Sequence, residues 1–205
     1  MKFQVPALIR WCWKGVVWRE NPDKKNIFLT FDDGPIPEVT PKVLDILDNY
    51  NAKATFFCVG DNVRKHPETY MEVIRRGHQV GNHTFHHIKG FSFADEEYVD
   101  NVQKAANYID SKLFRPPHGQ ITHRQIKRLS SDYKIIMWDF ITYDYDSTMS
   151  VEQIMKIVKK KSRNGSIVVF HDSLKAQKNM LQALPLALEY WEKNGYKIIS
   201  MRLYK

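Results

Sequence analysis

Cysteine is nearly absent: the 205 residues contain two, Cys12 and Cys58. Two distant cysteines build no disulfide framework, and Cys58, inside the apolar run "ATFFCV", reads as a small buried hydrophobe. Glycine and proline are sparse as well, nine of each. No Gly/Ser-rich or Pro-rich linker divides the chain, and it has no internal repeat or low-complexity tract. Its length and 43% hydrophobic content suit one domain with a sizeable core. Long apolar runs are missing too. In "MKFQVPALIRWCWKGVVWRE", Arg10 and Lys14 interrupt the apolar stretches. That leaves neither a signal-peptide core nor a membrane span, so the chain is expected in the cytoplasm or peripheral to a membrane. Acidic residues are the minority, 23 against 31 Lys and Arg, for a net charge of +8. The excess suits anionic partners. Its densest run, "KIVKKKSR" (156–163), falls in the last turns of an expected helix, where cations complement the dipole. No nucleic-acid-binding motif accompanies the charge, so nucleic acid is not an expected partner.

Trp11, Trp13 and Trp18 stand among basic residues near the N-terminus. They read either as an interfacial anchor, giving peripheral membrane contact through residues 1–20, or as a cap on the bottom of the domain. Residues 1–25 are therefore separated from a main domain, 26–205.

Beyond residue 25 the pattern is regular. Short β-branched or aromatic runs at Ile27–Phe31, Ala54–Val59, His78–Val80, Leu113–Arg115, Lys134–Trp138, Ser166–Phe170 and Tyr196–Met201 predict strands. Helical patterns lie between them at Pro41–Tyr50, Pro67–Arg76, Asp95–Lys112, Thr122–Ser131, Val151–Arg163 and Lys178–Lys193. Thr40 is placed to cap the first helix, with Pro41 at its first position, and "SVEQ" from Ser150 reads as a capping box. Gly77, Gly165 and Gly195 sit just past helix ends, where a left-handed residue is wanted. Strands alternating with helices predict an all-parallel sheet, open or closed.

The polar residues favour closure. Asp32 and Asp33 follow the first strand, His83 and His87 the third, and Arg115 closes the fourth. Trp138 to Asp144 follow the fifth, and His171-Asp172 the sixth. In a barrel of parallel strands these ends meet at one mouth; an open sheet would spread them along an edge. "DDGP" alone is good turn chemistry. In "GNHTFHH", however, His83 and His87 are spaced so that one helical turn puts both imidazoles on one face. With Asp33 they form a two-histidine, one-carboxylate set with open coordination positions. His66, His78, His86 and His123 read as bystanders. Asp32 is then free to act as a base, with Arg115 able to pair with it and hold it ionised. His171 suits general-acid work, and Asp144 is placed to pair with it and raise its pKa.

These motifs resemble the NodB-homology polysaccharide deacetylases of carbohydrate esterase family four. "TFDDGP" matches the first motif of that family and "HTFHH" its H-[ST]-x-x-H metal motif; "RPPHG" and "VVFHDS" resemble its later ones. The resemblance implies a single-domain, distorted (β/α)7 barrel, TIM-barrel-like, and one divalent metal, commonly zinc. The implied activity removes N- or O-acetyl groups from an acetylated glycan. By position it makes Asp32 the base, Asp33, His83 and His87 the metal ligands, and His171 the acid. Arg115 becomes the partner of Asp32 and Asp144 the partner of His171. The backbone N–H of His118 is the implied oxyanion donor. His118 stands where the family has Tyr or Phe, Ile141 where many members have an acid, and Tyr145 where many have Trp. Trp138 and Tyr145 are groove candidates for stacking on sugar faces, with a core role for Trp138 as the alternative. Two rival readings share parts of this set: a non-haem iron oxygenase, and a degenerate carbohydrate-binding protein on the same scaffold.

Overall fold

The run Ile27–Phe31 becomes the centre of a parallel sheet. It lies in β2 (Asn26–Asp32), where every residue after Asn26 is buried. The structure, a computed structural model, describes Trp13 and residues 15–201. Among these residues nine strands form one sheet: β1 (Val16–Val17), β2, β3 (Thr55–Cys58), β4 (Gln79–Asn82), β5 (Leu113–Phe114), β6 (Lys134–Ile136), β7 (Phe140–Ile141), β8 (Ser166–His171) and β9 (Lys197–Ile199). Their order is β1-β6-β5-β4-β3-β2-β8-β7, with β9 beside the start of β2. All these strand pairs are parallel. Strands covered on both faces need apolar side chains on both, hence the continuous hydrophobic runs. The sheet curls into a distorted (β/α)7 barrel within a single domain.

The curl is completed at an irregular seam. The expected strand Lys134–Trp138 stops at Ile136, and residues 137–139 step across to the flank of β8. Met137 N–H donates to Val17 O at 2.7 Å, Asp139 N–H donates to Ile167 O at 2.9 Å, and β7 then runs along β8. Residues 16–20 fill the same seam. β1 pairs with β6, Arg19 bridges Ser166, and Glu20 N–H donates to Gly165 O at 2.9 Å. Two-residue strands carry too little periodicity to be read from sequence. Trp18 is buried, with the Trp13 ring 6.0 Å from it. Trp11, Cys12 and the rest of residues 1–12 and 14, on which the anchor reading leans, lie outside the described residues. No helix among the described residues is long and apolar enough to cross a membrane.

Alternation along β2 sorts its side chains. Ile27, Leu29 and Phe31 pack towards the helices with Val43, Leu44, Leu47, Leu184 and Trp191. Phe28 joins an inner cluster of Phe57, Leu113, Ile136, Ile167 and Met201 that plugs the base of the barrel. Each such large side chain contributes about 1.5–3 kcal/mol by burial. Thr30 and then Asp32 stand on the same face as Phe28, nearer the C-terminal mouth.

Among the described residues the α-helices are α1 (Thr40–Asn49), α2 (Gly60–Lys65), α3 (Pro67–Arg75), α4 (Asp95–Ala106), α5 (His123–Leu129), α6 (Val151–Lys161) and α7 (Gln177–Lys193). α6 has the expected Ser150–Gln153 capping box, and α5 has one from Thr122 and Gln125. Gly77, Gly165 and Gly195 are left-handed, as expected. Two expectations differ, and one helix has no counterpart in the sequence pattern. Thr40 does not cap α1; its hydroxyl accepts the Ile36 N–H and donates to Asp172. α4 ends at Ala106 rather than Lys112. Beyond it Ser111 Oγ accepts the Leu113 N–H and donates to Val80 O, which holds a turn in place of helix. α2, only six residues long, is too short to show a helical period in the sequence.

Candidate active site

Register brings the first two groups together. Asp32, at the end of β2, is the direct neighbour of His171 at the end of β8. Inside the barrel Arg115 is fully buried, 4.1 Å from the centre of the Phe57 ring that caps the inner cluster. Its Nη1 donates to Asp32 Oδ1 and to Thr30 Oγ1, both at 2.7 Å, and its Nη2 to Met137 O at 3.0 Å. A charge-assisted pair held this way keeps Asp32 in one position.

Asp33 leaves the strand with φ +84° and meets the two histidines. His87 Nε2 lies 3.1 Å and His83 Nε2 3.8 Å from Asp33 Oδ1, and the ligand atoms of all three residues lie within 4.8 Å of one another. Donors at these spacings suit a cation bound at about 2.0–2.2 Å from each. His83 is oriented for it. Its Nδ1 lies 2.7 Å from Arg115 O, which can only accept, so Nδ1 carries the proton and Nε2 offers its lone pair to the centre. Burial pulls the His83 imidazole down to about 4, keeping it in the neutral, ligating form. Asp33 is held well below the usual carboxylate range, because His87, His171 and His83 outweigh its burial.

The two histidines do not share a helical turn, as their spacing predicted. Residues 83–88 form a bent loop with Thr84 at φ +62° and His87 at φ +55°. Side chains hold it. Asn82 accepts the Thr84 N–H at 2.9 Å, and Asn101 Oδ1 accepts the N–H groups of Phe85 and His86 at 2.9 and 3.0 Å. Of the bystander histidines, His86 lies beside Asn101 on the exposed side and His78 Nδ1 accepts the Ala54 N–H.

Across the mouth, His171 Nδ1 is 2.8 Å from Asp144 Oδ1, and His171 N–H donates to Asp144 Oδ2 at 2.8 Å. Burial alone would lower the imidazole, but the Asp144 carboxylate overcomes it and raises His171 to about 9. Tyr145 stands edge-on to His171 at 4.8 Å. Trp138 is half-buried; it packs on the inner cluster around Phe57 and on a second cluster that holds Trp18, Tyr98 and Phe114, and its ring presses against Gly119. His118 is exposed at φ +58°, its ring 4.7 Å from that of His87. Cys58 is buried, and desolvation keeps its thiol protonated. The site also recruits residues to which the sequence reading assigned no role: Thr30, Asn62, Asn82, Asn101 and Asp172. Asp172 was visible beside His171 in "FHDS", and burial pushes it up to about 8 against the donors Thr40 and Gly34.

A family model described as polysaccharide deacetylase matches residues 19–134. The chain is 33% identical over 193 residues to a peptidoglycan-N-acetylglucosamine deacetylase of Bacillus cereus, covering 91% of each protein. It is 30% identical over 166 residues to a chitooligosaccharide deacetylase of Azorhizobium caulinodans, covering 77% of this chain and 79% of that one. Among solved structures, a peptidoglycan N-acetylglucosamine deacetylase crystallised with a naphthyl N-hydroxybenzamide aligns with a TM-score of 0.89 at 28% identity, over 96% of this chain and 95% of the other. A pseudoenzyme of carbohydrate esterase family four aligns with a TM-score of 0.81 at 26% identity, over 91% of this chain and 69% of its own.

Proposed function

The chain belongs to the polysaccharide deacetylase family, and from that premise we propose how its residues divide the work and which glycan it meets. It is a metal-dependent hydrolase that removes acetyl groups from N-acetyl sugars. In our reading Asp33, His83 and His87 hold one zinc ion; two imidazoles and a carboxylate with open positions suit that metal. Such an ion supplies Lewis-acid polarisation of the acetyl carbonyl and a more acidic water.

The residues do the rest. Asp32, fixed by Arg115, takes a proton from the attacking water as its oxygen bonds to the acetyl carbon. The backbone N–H of His118 donates to the oxyanion that forms. His171, kept protonated by Asp144, gives its proton to the sugar nitrogen as the C–N bond breaks. Acetate and a sugar amine leave, so atoms and charge balance. Tyr145 and the exposed edge of Trp138 are placed to pack on a pyranose face.

The observation that carries this reading is the convergence of Asp33, His83 and His87 beside two separate ion pairs, Asp32–Arg115 and His171–Asp144. A pseudoenzyme among the structural relatives makes a degenerate binding protein the natural rival, but here the proposed base, acid and ligand set are all present. By likeness to the Bacillus cereus relative, the proposed substrate is the N-acetylglucosamine of peptidoglycan. Acetate release from peptidoglycan fragments, chitooligosaccharides and O-acetylated xylan tests it. Faster release from peptidoglycan is expected; no release from any of them would overturn the enzymatic reading.

A further inference from the structure

Asp172 is a buried carboxylate that the proposed chemistry leaves without a task. It is 1% exposed and directly follows His171. Its Oδ1 accepts the Gly34 N–H at 3.0 Å, and its Oδ2 accepts the Thr40 hydroxyl at 2.6 Å. On the other side of the same loop, Asn62 Nδ2 in α2 donates to the Asp33 carbonyl at 2.8 Å. The Asp33 C=O and the Gly34 N–H are the two ends of one peptide group, the group that follows the proposed metal ligand. Side chains from two distant elements therefore hold both of its ends.

The peptide needs holding. Asp33 sits at φ +84°, a region that costs a residue bearing a Cβ about 1–3 kcal/mol. Orientation of the following peptide sets the ψ of Asp33, and so the frame from which its carboxylate projects. The fit is close, since a Cβ on Gly34 would lie 2.0 Å from Asp172 Oδ2. Asp172 also ties the loop to the end of the adjacent strand β8, because its own N–H donates to Asp32 O at 3.1 Å.

We infer that Asp172 and Asn62 clamp the Asp33–Gly34 peptide and thereby aim the Asp33 carboxylate at His83 and His87, which makes both of them positioning residues of the metal centre. The inference rests on the reading of those three residues as that centre. The strand end that carries the proposed acid thus also holds the loop that carries the ligand.

Titrating metal-stripped full-length protein with zinc against a competing chelator tests the clamp, as does the visible spectrum of the cobalt(II)-substituted protein. Asn62→Ala and Asp172→Ala are each expected to weaken zinc binding about 10–100-fold and to shift the cobalt bands. Thr40→Val spares the Gly34 bond and is expected to stay closer to wild type than either. Asn62 lies on a half-buried face of α2, so its variant decides the matter even if Asp172→Ala fails to fold. Wild-type zinc affinity with an unchanged cobalt spectrum in Asn62→Ala would overturn the clamp. His83→Ala is the control on the centre: full zinc occupancy in that variant would overturn the ligand set itself, whatever the clamp variants do.

Discussion

Asp32 and Asp33 are neighbours in sequence with opposite surroundings. Successive side chains of a strand point to opposite sides, and the left-handed turn at Asp33 completes the separation. Asp32 faces the buried Arg115 guanidinium, whereas Asp33 faces two imidazoles. Asp32→Asn is therefore expected to keep its zinc, measured by elemental analysis, while acetate release falls by about 10²–10⁴. A variant with most of its turnover intact would remove Asp32 as the base. His171 carries a pH prediction. Its pKa rises from 6.5 to about 9 in the fold, so it stays protonated through neutrality and loses its proton only near that value. As the acid, it should give kcat/KM an alkaline limb near 9. Its pair with Asp144 contributes stability that is complete below the unfolded value of about 6.5 and is lost as pH rises through about 9. Asp144→Asn keeps a hydrogen-bond acceptor but removes the charge, so the limb should move down towards 6.5. A pH–rate profile that stays in place would show that Asp144 does not set it.

Two connections separate ordinary stabilisation of an element from closure of the barrel. At α6, Ser150 accepts the Gln153 N–H and Gln153 accepts the Ser150 N–H in return. Ser150→Ala should cost about 1 kcal/mol in urea unfolding, the ordinary worth of an N-cap. Gly165 is a different case. It is left-handed at φ +73°, and a Cβ there would lie 1.8 Å from the Glu20 carbonyl oxygen at the seam between residues 16–20 and β8. The backbone conformation alone makes Gly165→Ala cost about 1–3 kcal/mol, and the collision adds to it by prising the seam apart. Gly165→Ala is thus expected to be the more damaging of the two, and equal unfolding midpoints would contradict this account of the seam.

For the whole molecule, the proposed metal centre would couple to the fold, because Asp33 and the two histidines stand on loops after different strands. Zinc that binds only the assembled centre stabilises it by mass action, by about 2.7 kcal/mol at a hundredfold excess over Kd. For a domain of this size that raises Tm by about 5–10 °C. Chelator should lower the Tm of the wild type by that amount, and His83→Ala should show no zinc-dependent shift. A zinc-dependent shift that survives in His83→Ala would place the cation elsewhere. Inside the barrel the sequence of layers is chemical as well as steric: apolar Phe28 at the base, Thr30 with Arg115 above it, and Asp32 at the mouth.

The amino-acid sequence alone determined the strand and helix alternation, the Ser150 capping box and the identity of the candidate chemical groups. Those signals are local. Helical caps act over three or four residues, and each suspected group stands just past the end of an apolar run, where a parallel barrel gathers strand ends into one mouth. Only the tertiary structure decided how those groups are held. The His83–His87 pair is presented by a loop pinned through Asn101 rather than by a helical turn. Thr40 bonds Asp172 instead of capping its helix, 132 residues away in the chain. The Asp172–Gly34 and Asn62–Asp33 bonds span 138 and 29 positions. The seam strands β1 and β7, two residues each, form because the barrel leaves unpaired backbone N–H and C=O groups there that need partners. Neither propensity nor periodicity encodes a hydrogen bond between residues so far apart; it comes into being only when the barrel has closed and set both ends within reach.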